Sequence, residues 1–510
     1  MKNRIVLFSV FYLALFSIWG QENMLRFEVQ QARNANLHFD SVVFNRVSAD
    51  TRVLKHFIDT SEVFFFGNIS LNVRSNSVKA MNLTIPLNNR NMVLELVEVP
   101  EYFYDYEVLI MPDSITRPAN RNIKHYRGVV RDEINSLAAI TLYEGEVMGL
   151  VCTNDGNFNI VKDSLSGKHL FYNDRNLRDT TSFTCATEDN PSIQYDSAVL
   201  FSQRNNLREE DGTVRGNVIN KYVRFYVETR VQIYRKLGRD LDKVEAWVTN
   251  IFNQVAILYL NEDIMTYVSC ICMWHGGDPY TNSADAELLL EQFKDKTTSI
   301  SGDLGILLAY YDDPTDGEGI AHIDGLCNSS VQNKLAVARI NTFYQNIPVY
   351  SRSVKIVTHE LGHLMGSRHT HACVWNGDST AIDGCAGVEP RESGVYCSNP
   401  GYPPGGEKGT IMSYCDKPGR PGIDFNLGFG PQPGQVIRTS VTNASCLYTC
   451  DVNFTNQTVS TNKILKSACG NVNVQNVKVQ SNAKLTIDAD KETTIDGDFE
   501  VELGSELEIK

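Results

Sequence analysis

Beyond its first twenty residues the chain has no apolar run approaching the ~20 residues that a membrane-crossing helix needs. It has no surplus of positive charge either. Formal net charge is -14, with 47 Lys and Arg against 61 Asp and Glu, which argues against a general phosphate-binding surface and against nucleic acid as a partner. There is no long biased tract of the kind that signals disorder, and no exact internal repeat, so no repeat array is predicted. The 42% hydrophobic and 21% charged fractions are ordinary for folded protein, and 510 residues suit roughly three domains.

What is present starts with an export signal. Lys2 and Arg4 precede a largely apolar stretch from Ile5 to Ile18, and Gly20 offers a small residue before Gln21 and Glu22. A single membrane anchor is the competing reading, and the shortness of the apolar run argues against it. Twelve cysteines agree with an oxidising compartment, where disulfides persist. The expectation is a secreted chain, free or held at the cell surface, with no stable membrane insertion after signal removal.

Short alternating stretches such as 91–99 and 138–143, broken by Asn, Asp and Gly turns, predict a β-rich region over 21–200. A polar segment over 201–215 reads as an exposed linker, with Arg208 and Arg215 as plausible processing points. The period then changes: a strand from Tyr222 to Val227, a helix around Val244 to Leu260 and a strand near Met265 to Met273 predict a mixed α/β domain over 216–450. Residues 451–510 alternate again and predict a small β-sheet or β-solenoid module.

The most informative stretch is His359-Glu360-Leu361-Gly362-His363-Leu364-Met365-Gly366-Ser367-Arg368-His369. Apolar Val354, Ile356, Val357, Leu361 and Leu364 predict a mainly buried helix, and the four-residue spacing puts His359 and His363 on one face of it. Gly366 can take a left-handed conformation that ends the helix and brings His369 back as a third zinc ligand. Three protein ligands leave a coordination position for water, and Glu360, adjacent to a ligand, is placed to activate it. With 10 histidines and 35 glycines in 510 residues, three His and one Gly at these places arise by chance about five times in ten million starting positions.

This pattern resembles the metzincin signature, and Gly409-Thr410-Ile411-Met412-Ser413-Tyr414-Cys415 resembles the methionine turn of that family. The resemblance implies that Met412 floors the histidines and that Tyr414 reaches the metal or the transition state; packing is the alternative role for Tyr414. From about Val214 to Cys450, including Trp274, Asp278-Pro279-Tyr280 and Gly319-Ile320-Ala321-His322, the chain is similar to the adamalysin or reprolysin group, particularly its secreted bacterial members. One departure is Thr370, where adamalysins usually carry Asp after the third histidine.

The resemblance implies a multidomain architecture: a β-rich propeptide, an α/β metzincin catalytic domain with a twisted sheet and helices in two subdomains around a cleft, and a small all-β C-terminal module. His125-Tyr126-Arg127-Gly128-Val129-Val130 and Gly149-Leu150-Val151 look like a reprolysin propeptide, which would act as an intramolecular inhibitor. Cys185 is then the candidate thiolate that holds the zinc in the latent form, the alternative being a disulfide with Cys152. Residues 319–323 are expected either as a sheet edge for substrate pairing or as a plain interior strand.

Calcium at one acidic stretch is a further expectation, the alternative being a solvated turn. Asp312-Asp313-Pro314-Thr315-Asp316-Gly317-Glu318 is acidic but lacks the spacing of a recognised loop. Cys373, Cys385, Cys397 and Cys415 are expected to form disulfides instead of a second metal site. The predicted function is a zinc metalloendopeptidase acting on protein or peptide substrates, the alternative being a catalytically weak, protease-like adhesion or binding protein.

Overall fold

A computed structural model describes residues 23–510 except 49–57, 61–62, 68–77, 165, 179–182, 189–193, 203–205, 209–213, 217–218, 282–284, 311–317, 341–342, 345–346, 389–393, 395, 404–406 and 468. The export signal over 1–20 and the acidic calcium candidate Asp312 to Gly317 lie outside the described residues.

Two large sheets organise the chain. The first has nine strands, ordered in space as 40–43, 80–86, 91–98, 124–130, 137–143, 146–153, 156–162, 169–173 and 64–66. Each strand runs antiparallel to its neighbours except the parallel first pair. The second has eight strands, ordered 184–185, 318–321, 335–340, 304–310, 222–229, 265–274, 107–111 and 115–118. Its centre, Tyr222–Thr229, pairs parallel with both Leu304–Tyr310 and Met265–Trp274, and the wholly buried Leu304–Tyr310 reads as a continuous apolar run.

This second sheet draws strands from both sides of residue 200. The hairpin Glu107–Met111 and Ile115–Pro118 extends one edge, and Thr184–Cys185 lies parallel to Glu318–Ala321 at the other. Residues 319–321 therefore lie one strand in from the edge of the second sheet, between Thr184–Cys185 of an earlier segment and Leu335–Ile340. The segment expected as an exposed linker contains a short ladder, Asn206–Arg208 with Val214–Gly216, which carries Arg208 and Arg215.

Helix Leu241–Leu260 sits between the two sheets, capped by Asp240, whose side chain accepts from the amides of Asp242 and Lys243. Its residues from Val244 onward are buried, although Glu245, Thr249, Asn250, Asn253 and Gln254 form a polar stripe at helical spacing. Residues around the hairpin 107–118 cover its Glu245 end, and strands 124–130 and 137–143 of the first sheet cover Asn253. Tyr106 and the Asn120 amide donate to Glu245 (2.8 and 2.7 Å), Arg117 pairs with it, and Arg127 donates to Asn253 at 2.8 Å.

The last sixty residues coil into stacked parallel strands. Val452 lies opposite Val472, which lies opposite Thr493, giving steps of 20 and 21 residues. A second face stacks Lys463–Ser467, Lys484–Ala489 and Glu506–Ile509 in the same way. Side-chain amides repeat along the stack, Asn473 donating to Asn453 and Asn476 to Asn456. The disulfide Cys450–Cys469 ties this coil to the preceding helical region.

Candidate metal centre

The histidines stand on helix Tyr350–Leu364 and on the turn that follows it. Val354, Ile356, Val357, Leu361 and Leu364 bury the helix, and Tyr259 of the neighbouring long helix donates to the Thr358 carbonyl at 3.0 Å. Gly366, at φ 96°, ends it. The Gly366 amide returns to the His363 carbonyl (2.8 Å) and the Ser367 amide to the Gly362 carbonyl (3.0 Å), the paired bonds of a Schellman stop. The chain thus reverses within three residues and brings His369 back to the helix.

The three imidazoles converge. His363 Nε2 is 3.1 Å from His359 Nε2 and 3.2 Å from His369 Nε2, with all three residues buried. The Nδ1 atoms of His359 and His363 face the carbonyls of Ile411 and Ser367 at 2.8 Å. A carbonyl only accepts, so both Nδ1 atoms carry the proton and both Nε2 atoms present lone pairs. Two lone pairs at 3.1 Å with no proton between them repel. Burial also pushes the His359 pKa well down, which keeps the ring neutral. Buried acceptors held in mutual repulsion fit a divalent cation among them, and fixed Nδ1–H donors are the usual support for metal-binding imidazoles.

Cys185 completes the cluster. Its sulfur and one nitrogen from each histidine all lie within 4.8 Å of one another. Cys185 Sγ is 3.5 Å from His363 Nε2 and 3.6 Å from a Glu360 carboxylate oxygen. Burial and the Glu360 charge both push the thiol up, so a cation shared with the histidines is what would favour its thiolate. The alternative disulfide does not form: Cys152 and Cys185 are both unpaired, Cys152 being buried on strand Glu146–Thr153 of the first sheet.

The segment around Cys185 lies as an extended chain between strand Glu318–Ala321 and Tyr414. The Ala186 amide donates to the Gly319 carbonyl at 2.8 Å, and Thr187 exchanges hydrogen bonds with the backbone of Ala321. Tyr414 clamps it from the other side, its hydroxyl accepting from the Cys185 amide (2.9 Å) and donating to the Cys185 carbonyl (3.1 Å). That hydroxyl is also 3.5 Å from His369 Nε2. Met412 is fully buried, its sulfur against Gly362, where a first side-chain carbon would stand 3.1 Å away. Thr370, where the resemblance leads one to expect Asp, uses its amide and hydroxyl to bond the Met412 carbonyl (3.2 and 3.4 Å), tying the third histidine to the methionine turn.

The pairs Cys373–Cys397 and Cys385–Cys415 are disulfides, the second immediately after Tyr414. Cys327–Cys446 adds a third bridge in this region, while Cys270 and Cys272 remain reduced on the buried strand Met265–Trp274.

Residues 220–423 match the family profile Reprolysin_5, described as metallo-peptidase family M12. The chain carries a reprolysin-like metzincin domain. Among curated proteins, it is 25% identical over 305 residues to two proteins of Naja atra, the zinc metalloproteinase-disintegrin-like kaouthiagin-like and atrase-B. Those alignments cover 57% of this chain and 50% of each relative. BmMP of Bungarus multicinctus, also a zinc metalloproteinase-disintegrin-like protein, is 24% identical over 336 residues, 61% of this chain and 52% of its own. The chain spans about half the length of the curated relatives it matches. A crystal structure of metalloproteinase-II from Bacteroides fragilis aligns at a TM-score of 0.32 and 10% identity, covering 68% of this chain and 94% of that one.

Two features of the reprolysin-like centre escaped the sequence. Gly319 is buried against Glu360, and a methyl group there would overlap the carboxylate. Replacing Gly319 with alanine in processed protein is expected to displace Glu360 and lower kcat/KM for a peptide about 10²-fold with metal content unchanged. A variant that cleaves at the original rate would show that the carboxylate does not need this space. Lys355 and Phe183 form the second feature; a buried lysine in an apolar helix was the signal that could have revealed it.

Proposed function

We propose that the chain is the latent precursor of a secreted zinc endopeptidase that hydrolyses peptide bonds in extracellular proteins. The observation that carries this reading is the convergence of His359, His363 and His369 on one point, with Cys185 supplied by a segment lying in the cleft. His359, His363 and His369 would hold zinc, joined by Cys185 in the latent form, and this donor set suits that ion. Bound there, zinc would supply Lewis-acid polarisation of a water molecule and of the scissile carbonyl.

The chain's own residues do the rest. Glu360, held in the space left by Gly319, takes the proton of the attacking water and passes it to the leaving amine. Strand Glu318–Ala321 offers its backbone to an extended peptide once residues 184–187 leave. Tyr414, no longer bound to the Cys185 backbone, is free to donate to the oxyanion that forms on the former carbonyl. Met412 keeps the imidazoles packed from below, and Gly366 shapes the turn that returns His369.

Latency assigns residues 21–200 to a propeptide, 201–215 to the processed linker, 216–450 to the catalytic domain and 451–510 to an accessory module. The polar stripe of helix Leu241–Leu260 supports a propeptide that can be removed. A permanently covered face would be expected to be apolar, whereas Glu245, Thr249, Asn250, Asn253 and Gln254 suit water when uncovered. Four disulfides and the apolar first residues support export. Among the described residues no helix is long and apolar enough to cross a membrane.

The testing experiment is digestion of casein by processed protein with and without a chelator. Cleavage should stop with the chelator and return when zinc is restored. Absence of cleavage in the zinc-loaded, processed protein would favour an adhesive role.

A further inference from the structure

We propose that the pocket filled by Phe183 in the precursor is a substrate subsite for an aromatic side chain, with Lys355 as its specificity-determining residue. The inference rests on the endopeptidase reading above and adds the class of substrate.

Side chains two apart on an extended segment face the same way, so Phe183 and Cys185 point together into the cleft. Cys185 meets the histidines. Phe183 is 2% exposed, with its ring centroid 4.9 Å from that of His359 at 75° and 6.0 Å from that of Tyr414 at 86°. Both are edge-on contacts of the kind aromatic rings favour. His359 and Tyr414 belong to the centre itself, so this pocket adjoins the place where a peptide bond would be cut.

The pocket has a third wall. Lys355 Nζ lies 4.7 Å over the Phe183 ring. It stands one helical turn before His359, among apolar Val354, Ile356 and Val357, and is only 3% exposed. Burying a lysine is costly without a partner, and Asp416 provides one at 2.6 Å. A leucine or methionine would fill that volume without the cost. What the ammonium adds is a cation facing a ring, and Asp416 balances its charge, so an acidic side chain gains less there than an aromatic face does.

The backbone contacts of the segment, such as Ala186 to Gly319, can be reproduced by any extended peptide. Selectivity must come from side-chain pockets, and the Phe183 pocket is built for a ring.

The test uses processed enzyme on a peptide library, with cleavage sites mapped by mass spectrometry. Aromatic residues should be enriched at one fixed position beside the cut bond. K355M should lower the ratio of kcat/KM for Phe over Leu peptides at that position at least about fivefold. Absence of aromatic enrichment, or an unchanged ratio in K355M, overturns the proposal. If K355M fails to fold, the unmodified enzyme is inhibited with the peptide Phe183-Thr184-Cys185-Ala186-Thr187-Glu188 and with its Phe183→Leu counterpart. The Phe peptide should inhibit at least about fivefold more tightly, and equal inhibition overturns the subsite. Failure of the underlying reading looks different: no peptide is cut in a chelator-sensitive way, and the proposal falls with it.

Discussion

Processed protein with Glu360→Ala should lose peptide hydrolysis by about 10²- to 10⁴-fold while binding zinc as tightly as before, because a positioned general base contributes on that order. The separation of the two effects follows from the geometry. His359 and His363 are fixed by carbonyls on their far nitrogens and His369 by the turn after Gly366, so none of the three relies on Glu360 for its orientation. The carboxylate, in contrast, occupies a space that only a glycine at 319 leaves open. Metal content by atomic absorption and cleavage of a quenched fluorescent peptide, measured on one preparation, check both halves. Loss of zinc in the variant would make Glu360 a structural support for the site, and retained cleavage would remove it from the reaction.

The unprocessed precursor with Cys185→Ala should cleave a small peptide at least about tenfold faster than the unaltered precursor, a bias of about 1.4 kcal/mol toward the open cleft. It should remain slower than processed protein. The alanine removes the thiolate from the cluster, but Ala186 still pairs with Gly319, Thr187 with Ala321 and Phe183 with its pocket. Partial activity in an uncut chain, confirmed by gel, is the expected signature of a cleft covered by a segment that has lost its strongest tie. A precursor as silent as before would mean that the cover alone imposes latency and that the thiol is incidental.

How much of this was legible in the chain depended on distance along the sequence. The histidine cluster could be read because its ligands lie within eleven residues and obey helical spacing, so local geometry determines the outcome. Gly366 was legible for the same reason. Cys185 lies far from the histidines in sequence, and nothing in its neighbourhood chose between a ligand and a disulfide with Cys152; resemblance suggested the former, and the fold brings the thiol to the cluster. The roles of Gly319 and Lys355 were hidden because each is defined by a residue on another element, Glu360 for one and Phe183 with Asp416 for the other.

Strand patterns were readable as strands but not as members of a sheet. Residues 107–118 form a hairpin that extends the second sheet beside Met265–Trp274 instead of joining its sequence neighbours, and nothing in their order signals that placement. The C-terminal coil was more accessible. Val452, Asn453, Asn456 and Val459 recur as Val472, Asn473, Asn476 and Val479; three of these pairs lie opposite each other in register and the Asn476 side chain donates to Asn456. A search for approximate, position-specific identity would have exposed the period that an exact repeat did not.

The most direct measurement is X-ray absorption at the zinc edge of the intact precursor and of the processed protein. Three imidazole nitrogens and one sulfur are predicted around zinc in the precursor, with the sulfur replaced by a light atom after processing. A precursor that binds no zinc, or holds it without sulfur, would contradict the account.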